Sequence, residues 1–299
     1  MSWQNSLLKT YLRVGVKSRL KEASLASSRE AIDGYLDRYM PPPPRELDVE
    51  AIDEAGFRGE RIAHRQPCGT ASILYLHGGA LMSGSVQTHR GTTCGLAMER
   101  VGTVWALDYP LAPEHALSEI EASVDAAFEY VLDHAGDPGS VILAGDQAGA
   151  WLAMRLAIRL RDQGKPQPAA LVMLCPFFDP LMRAESLDRN HEADPITSRN
   201  VIEGALDMVF GPLAQRDPAH SLLEANLEGL PPVLLQCSDL DMLRDDGVRM
   251  AEALDAQGGS ARLEVWKGVP PGWHVFWWKL PEAQSALRAA AKFILNEIG

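Results

Sequence analysis

The chain has 299 residues, of which 46% are hydrophobic, and a formal net charge of −12. A chain of this size can bury one large core. Its acidic balance argues against nucleic acid as a partner, because phosphate binding needs a basic surface. No stretch of about 18 or more apolar residues is present, so we expect no stable membrane span.

The four cysteines lie far apart in the sequence, at Cys68, Cys94, Cys175 and Cys237. None belongs to a C-x-x-C pair, and none has a zinc-like spacing with histidine. These spacings predict a reduced, cytoplasmic protein with no metal site and no cofactor.

The first residues, 1–20, are amphipathic and lack the uninterrupted apolar core of a signal peptide. They are also basic, with Lys9, Arg13, Lys17 and Arg19. We expect a helix that packs Leu8, Leu12 and Val16 onto the protein; a helix lying on a membrane surface is the alternative. The four prolines at 41–44 cannot continue a helix and predict a stiff connector.

From residue 46 onward, short apolar runs alternate with helical stretches, which is typical of a mostly parallel sheet flanked by helices. Continuous runs such as VILA and LVML indicate strands buried on both faces. The predicted strands are 48–54, 59–64, 72–76, 103–108, 140–144, 170–174, 233–236 and 262–266. The predicted helices are 89–100, 117–134, 148–163, 244–257 and 282–297.

Residues 185–222 interrupt this alternation, because they are polar, then helical, and do not form a strand–helix unit. Open α/β sheets bind ligands at the carboxyl ends of their strands. We therefore expect an insertion over this edge, where it would form a helical cap together with the first residues. The predicted domains are a cap segment at 1–45 and a catalytic domain at 46–299. A surface excursion without a role is the alternative for the insertion.

The strand VILA leads into Gly145-Asp146-Gln147-Ala148-Gly149, and a helix follows. A strand, a sharp turn and a helix form the setting of a G-x-S-x-G nucleophile elbow. Glycines are needed where the two backbones pass closely, and the central residue is expected to be strained, with its side chain in the cleft. Here the central residue is Gln147.

Three further features follow predicted strands directly. The sequence HGGA at 77–80 follows one strand, and glycines there can aim N–H groups at a developing oxyanion. Asp241 follows a second strand and His274 follows the last one. The order elbow, acid, histidine is that of α/β-hydrolases.

With these motifs the sequence resembles the bacterial hormone-sensitive-lipase family of carboxylesterases, from about residue 70 onward. The motifs are HGGALMSGS (77–85), DYPLAPEH (108–115), GDQAGA (145–150), DPAHSLL (217–223), GLPPVLLQ (229–236), DMLRDD (241–246) and GWHVF (272–276). The resemblance implies an α/β-hydrolase fold with an eight-stranded sheet and a helical cap. It also implies a Ser-Asp-His triad that cleaves small carboxylic esters.

The resemblance assigns roles by position. Asp241 would be the triad acid and His274 the triad base, while Gly78, Gly79 and the N–H of Ala148 would form the oxyanion hole. Contacts with the substrate are expected from Ala80, Asp146, Trp151 and Trp273. The implied partner is a small ester or carbonyl ligand. A homodimer through the edge strand and the last helix is allowed, and a monomer is equally compatible with the sequence.

The sequence departs from the family at three positions. Gln147 stands where the family has its serine, Ala80 replaces the third glycine of the oxyanion motif, and Pro110 replaces an arginine. Only the first change removes chemistry, because a carboxamide offers no nucleophile at neutral pH. We expect the carbonyl oxygen of Gln147 to accept from the oxyanion N–H groups and its NH2 group to reach toward His274.

Three hypotheses about function follow. The first is an esterase scaffold that has lost its nucleophile, as an inactive variant or a natural pseudoenzyme. The second is a lyase, isomerase or cyclase that uses His274 and Asp241 as an acid–base pair. The third is a ligand-binding, receptor-like protein. Retention of both Asp241 and His274 favours the first two, since binding alone does not need them.

Overall fold

A computed structural model describes residues 1–18, 34 and 40–298 of the chain. Its sheet has eight strands, and their bounds lie within two residues of those predicted from the apolar runs. The strands are β1 (Leu47–Glu54), β2 (Phe57–His64), β3 (Ala71–Leu76), β4 (Gly102–Leu107), β5 (Val141–Asp146), β6 (Ala170–Leu174), β7 (Val233–Ser238) and β8 (Ala261–Trp266). The predicted fold class is confirmed.

The helices predicted after residue 46 also lie within two residues of their expected bounds. In chain order the helices are α1 (Trp3–Tyr11), α2 (Arg90–Met98), α3 (Leu117–Ala135), α4 (Ala148–Asp162), α5 (Ser186–Arg189), α6 (Arg199–Phe210), α7 (Arg244–Ala256) and α8 (Pro281–Ile298). The segment 185–222 contains no strand, as expected, and holds α5 and α6. The rest of the predicted N-terminal helical region, 19–33 and 35–39, lies outside the described residues.

The strand order is β1-β2-β4-β3-β5-β6-β7-β8. β2 runs antiparallel to both of its neighbours, and all the other pairs are parallel. Because parallel strands end at the same edge of a sheet, the loops that follow β3, β5, β7 and β8 meet there. This edge carries the candidate site.

The central strands alternate their side chains between two cores, one on each face of the sheet. In β3, Leu74 and Leu76 belong to one core, while Ile73 and Tyr75 belong to the other. β5 divides its side chains in the same way. This explains why these strands read as continuous apolar runs in the sequence instead of alternating with polar residues.

The N-terminal helix packs on the protein with the face that the sequence predicts. Leu12 is buried, and Leu8 and Val16 are partly buried. The Asn5 side-chain amide donates to the carbonyl of Gly268 at 2.9 Å and thereby anchors α1 to the loop after β8. In the part of the chain that the structure describes, no helix is long and apolar enough to cross a membrane.

Candidate active site

The turn between β5 and α4 has the strained geometry expected of an elbow. Gln147 has φ 47° and ψ −114°, a backbone conformation that residues other than glycine rarely adopt. Hydrogen bonds hold it there: its N–H donates to the carbonyl of Leu174 at 3.1 Å, and its carbonyl accepts from the N–H of Phe177 at 3.3 Å. A Cβ on Gly149 would lie 2.0 Å from the carbonyl oxygen of Leu76, so only glycine fits.

The side chain of Gln147 points into a cavity of about 860 Å³ at the carboxyl edge of the sheet. Its Oε1 lies 3.1 Å from where a Cβ would stand on Gly78, so the amide lies against the loop after β3. Within the described residues, neither amide atom of Gln147 has a hydrogen-bond partner. Among these residues, therefore, neither expected contact is formed: the carbonyl oxygen does not accept from the oxyanion N–H groups, and the NH2 group does not reach His274.

The loop after β3 is held from below by Asp146. Its Oδ1 accepts from the Tyr75 hydroxyl at 2.6 Å and from the Gly78 N–H at 2.9 Å. Its Oδ2 lies 3.5 Å from Nε2 of His89. Burial alone would raise the pKa of Asp146, but His89 and the Tyr75 hydroxyl outweigh it and lower the pKa. Asp146 is thus a charged support of the loop.

This arrangement corrects two expectations from the sequence. The resemblance predicts an oxyanion-hole N–H at Gly78, but that N–H is already donated to Asp146. The sequence also predicts that Asp146 contacts substrate, but Asp146 is buried and is not among the cavity-lining residues that the structure describes. Both residues support the loop from beneath the cavity.

The next residues of the loop do line the cavity. Gly79 and Ala80 have φ values of 114° and 57°, and both contribute to the wall beside Gln147. Among the described residues, no acceptor binds the N–H of either one. Ala148, the first residue of α4, lines the same wall. The start of a helix presents N–H groups that have no partner within the helix.

His274 is buried beneath the cavity and does not line it. Its Nε2 lies 3.0 Å from Oε1 of Gln236. The NH2 group of Gln236 donates to Glu264 and to the carbonyl of Ala286, both at 2.9 Å, so its Oε1 must face His274 as an acceptor. Nε2 therefore carries the proton, while Nδ1 is buried and has no partner among the residues that the structure describes.

This proton position is the reverse of what a triad base needs. A triad histidine donates from Nδ1 to the acid and keeps Nε2 free to accept the nucleophile's proton. Burial also lowers the pKa of His274 to about 3, so the ring is neutral. The expected triad geometry around His274 is therefore absent from the structure.

Asp241 is buried but does line the cavity. Its Oδ1 accepts from the N–H of Leu243 at 2.8 Å, and the Cys175 thiol also bonds to its carboxyl group. Burial, and then the nearby carboxyl group of Asp194, raise its pKa well above the usual value. Asp241 and His274 share no hydrogen bond, so the expected acid–base pair is not formed.

Asp194 is a cavity residue that the sequence interpretation missed. It is fully buried, and its Oδ1 accepts from the N–H groups of Ile196 and Thr197 at 2.8 and 3.1 Å. Its Oδ2 accepts from the N–H of Met242 at 3.3 Å, which ties segment 185–222 to the loop after β7. The sequence Asp-Pro-Ile-Thr is a turn signature that could have identified it.

The two expected tryptophan contacts differ. Trp151 lines the cavity, and its Nε1 donates to the carbonyl of His220 at 2.9 Å. Trp273 is fully buried instead, with its ring tilted against that of His274 and the two ring centroids 3.8 Å apart, and it lies outside the cavity wall. The expectation for Trp273 is corrected because its position in the turn after β8 places it in the core.

The outer wall of the cavity comes from segment 185–222 and is largely apolar. Its residues there include Ile196, Val201, Ile202, Leu206 and Phe210. Phe210 meets Trp151 edge to face, with ring centroids 5.5 Å apart. In the described residues, no group of three or more His, Cys, Asp or Glu side chains is arranged to hold a metal ion.

Comparison with known proteins agrees with this architecture. A family model for the alpha/beta hydrolase fold matches residues 73–277. An esterase of Acinetobacter venetianus is 32% identical over 289 residues, which are 96% of this chain and 93% of the relative. An acetyl-hydrolase of Streptomyces hygroscopicus is 34% identical over 237 residues, 76% of each chain. The solved structure of an esterase from the bacterial hormone-sensitive lipase family superposes with a TM-score of 0.91 at 30% identity, covering 100% of this chain and 99% of the other.

Proposed function

The chain belongs to the α/β-hydrolase fold family, and from that premise we propose that it is a carboxylesterase-type scaffold that has lost serine-dependent hydrolysis. It binds a small ester or carbonyl compound in the cavity beside Gln147 without cleaving it by that mechanism. The observation that carries this proposal is the residue at the strained elbow. Gln147 occupies the strand–turn–helix position from which a nucleophile attacks.

A glutamine at this position removes the covalent step. Its amide is not nucleophilic at neutral pH, so no covalent bond to a substrate carbonyl forms from this position. Loss of a triad nucleophile costs on the order of 10⁶ in kcat and leaves roughly 10³ to 10⁴ over the uncatalysed rate. The position of His274 supports the same conclusion, because its protonated Nε2 is bonded to Gln236.

The ligand-binding part of the proposal rests on the cavity wall. The N–H groups of Gly79, Ala80 and Ala148 are the proposed oxyanion hole, since all three residues line the cavity with Gln147. A carbonyl oxygen bound there would receive hydrogen bonds without any reaction. Segments 1–45 and 185–222 are the proposed cap, and the apolar side chains of the second segment select the organic part of the ligand.

The non-hydrolytic alternative requires Asp241 and His274 to work as an acid–base pair. In the structure, His274 is bonded to Gln236, and Asp241 to Leu243 and Cys175. No observation therefore favours a lyase, isomerase or cyclase over the proposed binding function.

The test compares hydrolysis of p-nitrophenyl butyrate by the unmodified chain, Gln147→Ser and Gln147→Ala. We expect no saturable turnover by the unmodified chain or by the alanine variant. The serine variant restores the nucleophile without the base that activates it, because Nε2 of His274 is bonded to Gln236, so it should gain no more than roughly tenfold in kcat/KM. Turnover by the unmodified chain would contradict the proposal, and a gain above roughly 10²-fold in the serine variant would contradict the position that we assign to His274.

A second substitution sharpens this test. In the Gln147→Ser background, Gln236→Met removes the acceptor that holds Nε2 of His274 and keeps a similar side-chain volume. Because one hydrogen bond contributes about 1 kcal/mol, its removal should raise kcat by roughly fivefold. An unchanged kcat would mean that the Gln236 bond does not restrain His274.

A further inference from the structure

The N-terminal helix has a second apolar face, which points away from the protein. Trp3, Leu7 and Val14 are 73%, 63% and 69% exposed, and Tyr11 between them is 41% exposed. Their spacing of three to four residues places them on one side of the helical segment. The opposite side carries the packed residues Asn5, Leu8 and Leu12. We call Trp3, Leu7, Tyr11 and Val14 the outer stripe.

Packing on the protein accounts for only one of these faces. A surface helix normally turns one apolar stripe inward and a polar face to water. Here the face that is turned to water instead exposes large apolar side chains at neighbouring positions, including Trp3. Exposure of such a patch costs free energy, and contiguous apolar patches on a protein surface mark interaction sites.

The charge of the N-terminal sequence indicates what covers the outer stripe. Lys9 and Arg13 lie on the same helical segment as the stripe, Lys17 is buried against the protein, and all 40 acidic residues of the chain follow residue 21. The chain as a whole has a net charge of −12, so this local excess of positive charge is opposite to the rest of the molecule. Basic charge beside exposed Trp and Leu side chains is typical of helices that lie in the interface of an anionic membrane.

We propose that the outer stripe docks the protein on an anionic phospholipid surface, with Trp3, Leu7 and Val14 in the boundary between headgroups and acyl chains. This interaction is separate from the proposed ligand-binding function and does not depend on Gln147.

The helical segment that carries the stripe is joined to the cavity wall. Arg13 donates to the carbonyl of Ala193 at 3.4 Å. Lys17 Nζ donates to the carbonyls of His191 and Asp194 at 2.8 and 2.6 Å. His191 and Asp194 both line the cavity. Docking through the stripe therefore brings the cavity wall close to the lipid surface, where apolar esters accumulate.

Flotation with lipid vesicles tests this proposal. Vesicles of phosphatidylcholine alone are compared with vesicles that also contain phosphatidylglycerol, at low and at high salt. We expect the unmodified chain to float with the anionic vesicles and to be released by salt. Equal binding to both vesicle types, absence of binding, or binding that strengthens with salt would overturn the proposal.

Variants then locate the binding surface. Leu7→Ser with Val14→Ser should weaken binding by about tenfold or more, because two large apolar side chains no longer enter the interface. Lys9→Gln with Arg13→Gln should weaken it by roughly fivefold for each charge removed. Leu295→Ser is the matched control, since Leu295 is 45% exposed on α8, and it should bind as the unmodified chain does.

A second copy of the chain is the competing occupant of the stripe. Sedimentation of the unmodified chain and of the Leu7→Ser, Val14→Ser variant distinguishes the two. A dimer that the double variant converts to a monomer would assign the stripe to self-association and overturn the lipid proposal. An unchanged oligomeric state together with lost vesicle binding supports it.

Discussion

On one side of the candidate site, the side chain of Asp146 is bonded to Tyr75, Gly78 and His89, and the loop after β3 is held in one conformation. On the other side, Asp241 and His274 are both present but are bonded to different partners. The first side retains a shape that can receive a carbonyl oxygen. The second retains the residues of a triad without the hydrogen bond between them. The proposed binding surface is therefore formed in this structure, whereas the hydrogen bond that a triad needs is not.

The largest expected loss of stability comes from a substitution of Asp146, whose hydrogen bonds hold the loop after β3. Asp146→Asn keeps the size of the side chain but removes a buried charge that accepts from Tyr75 and Gly78. We expect a loss of about 3 kcal/mol in the free energy of unfolding, measured by urea denaturation at pH 7. A loss below about 1 kcal/mol would mean that the loop does not depend on this carboxylate.

An effect of intermediate size is expected on the pH dependence of stability, and it comes from Asp246, which lies near Asp241 in the chain. Its buried Oδ2 accepts from the N–H groups of Phe178 and Asp179 at 2.7 and 3.0 Å, and burial raises its pKa to about 7. The folded state therefore binds more protons than the unfolded state between about pH 4 and 7, and stability falls as the pH rises through this window.

Asp246→Asn removes this titration. Between pH 5 and 7 the unmodified chain should lose roughly 2 kcal/mol more stability than the variant does, as measured by urea denaturation at each pH. Asp255→Asn, an exposed position on the same helix, is the control and should follow the unmodified chain. Parallel pH profiles for the unmodified chain and Asp246→Asn would contradict the raised pKa.

The smallest effect is expected from Asp241→Asn. Burial, and then the neighbouring Asp194, raise the pKa of Asp241 and favour its neutral carboxyl form, which asparagine resembles in size and charge. We expect a change in the free energy of unfolding of less than about 1 kcal/mol. A loss of about 3 to 5 kcal/mol, similar to that expected for Asp146→Asn, would indicate an ionised Asp241 with a buried cationic partner.

The sequence predicts the scaffold well because its signals are local. Continuous apolar runs locate β3, β5 and β6, and the close approach of backbones explains Gly149 at the elbow. The sequence does not predict how His274 is oriented, because that depends on Gln236, which is far away in the chain. The proton position of an imidazole follows from the partner that each nitrogen meets, and only the folded structure brings those partners together.

The same reason explains the corrections at Gly78 and Trp273 and the omission of Asp194. The motif places Gly78 near the site, but whether its N–H is available depends on the distance to Asp146. The polar, then helical pattern of segment 185–222 predicts a cap but does not indicate which of its polar side chains are buried. Asp194 lies in a turn from which its carboxyl group reaches the N–H of Met242, in the loop after β7.

Nitrogen-15 NMR of the His274 ring tests the arrangement of the site most sharply, with the ring signals assigned by their loss in His274→Asn. We predict a neutral ring at pH 5, protonated on Nε2 and unprotonated on Nδ1, because Nε2 donates to Gln236 and burial lowers the pKa of His274 to about 3. A ring protonated on Nδ1, with that proton hydrogen-bonded to Asp241, would instead show an assembled acid–base pair and rule out the arrangement described above.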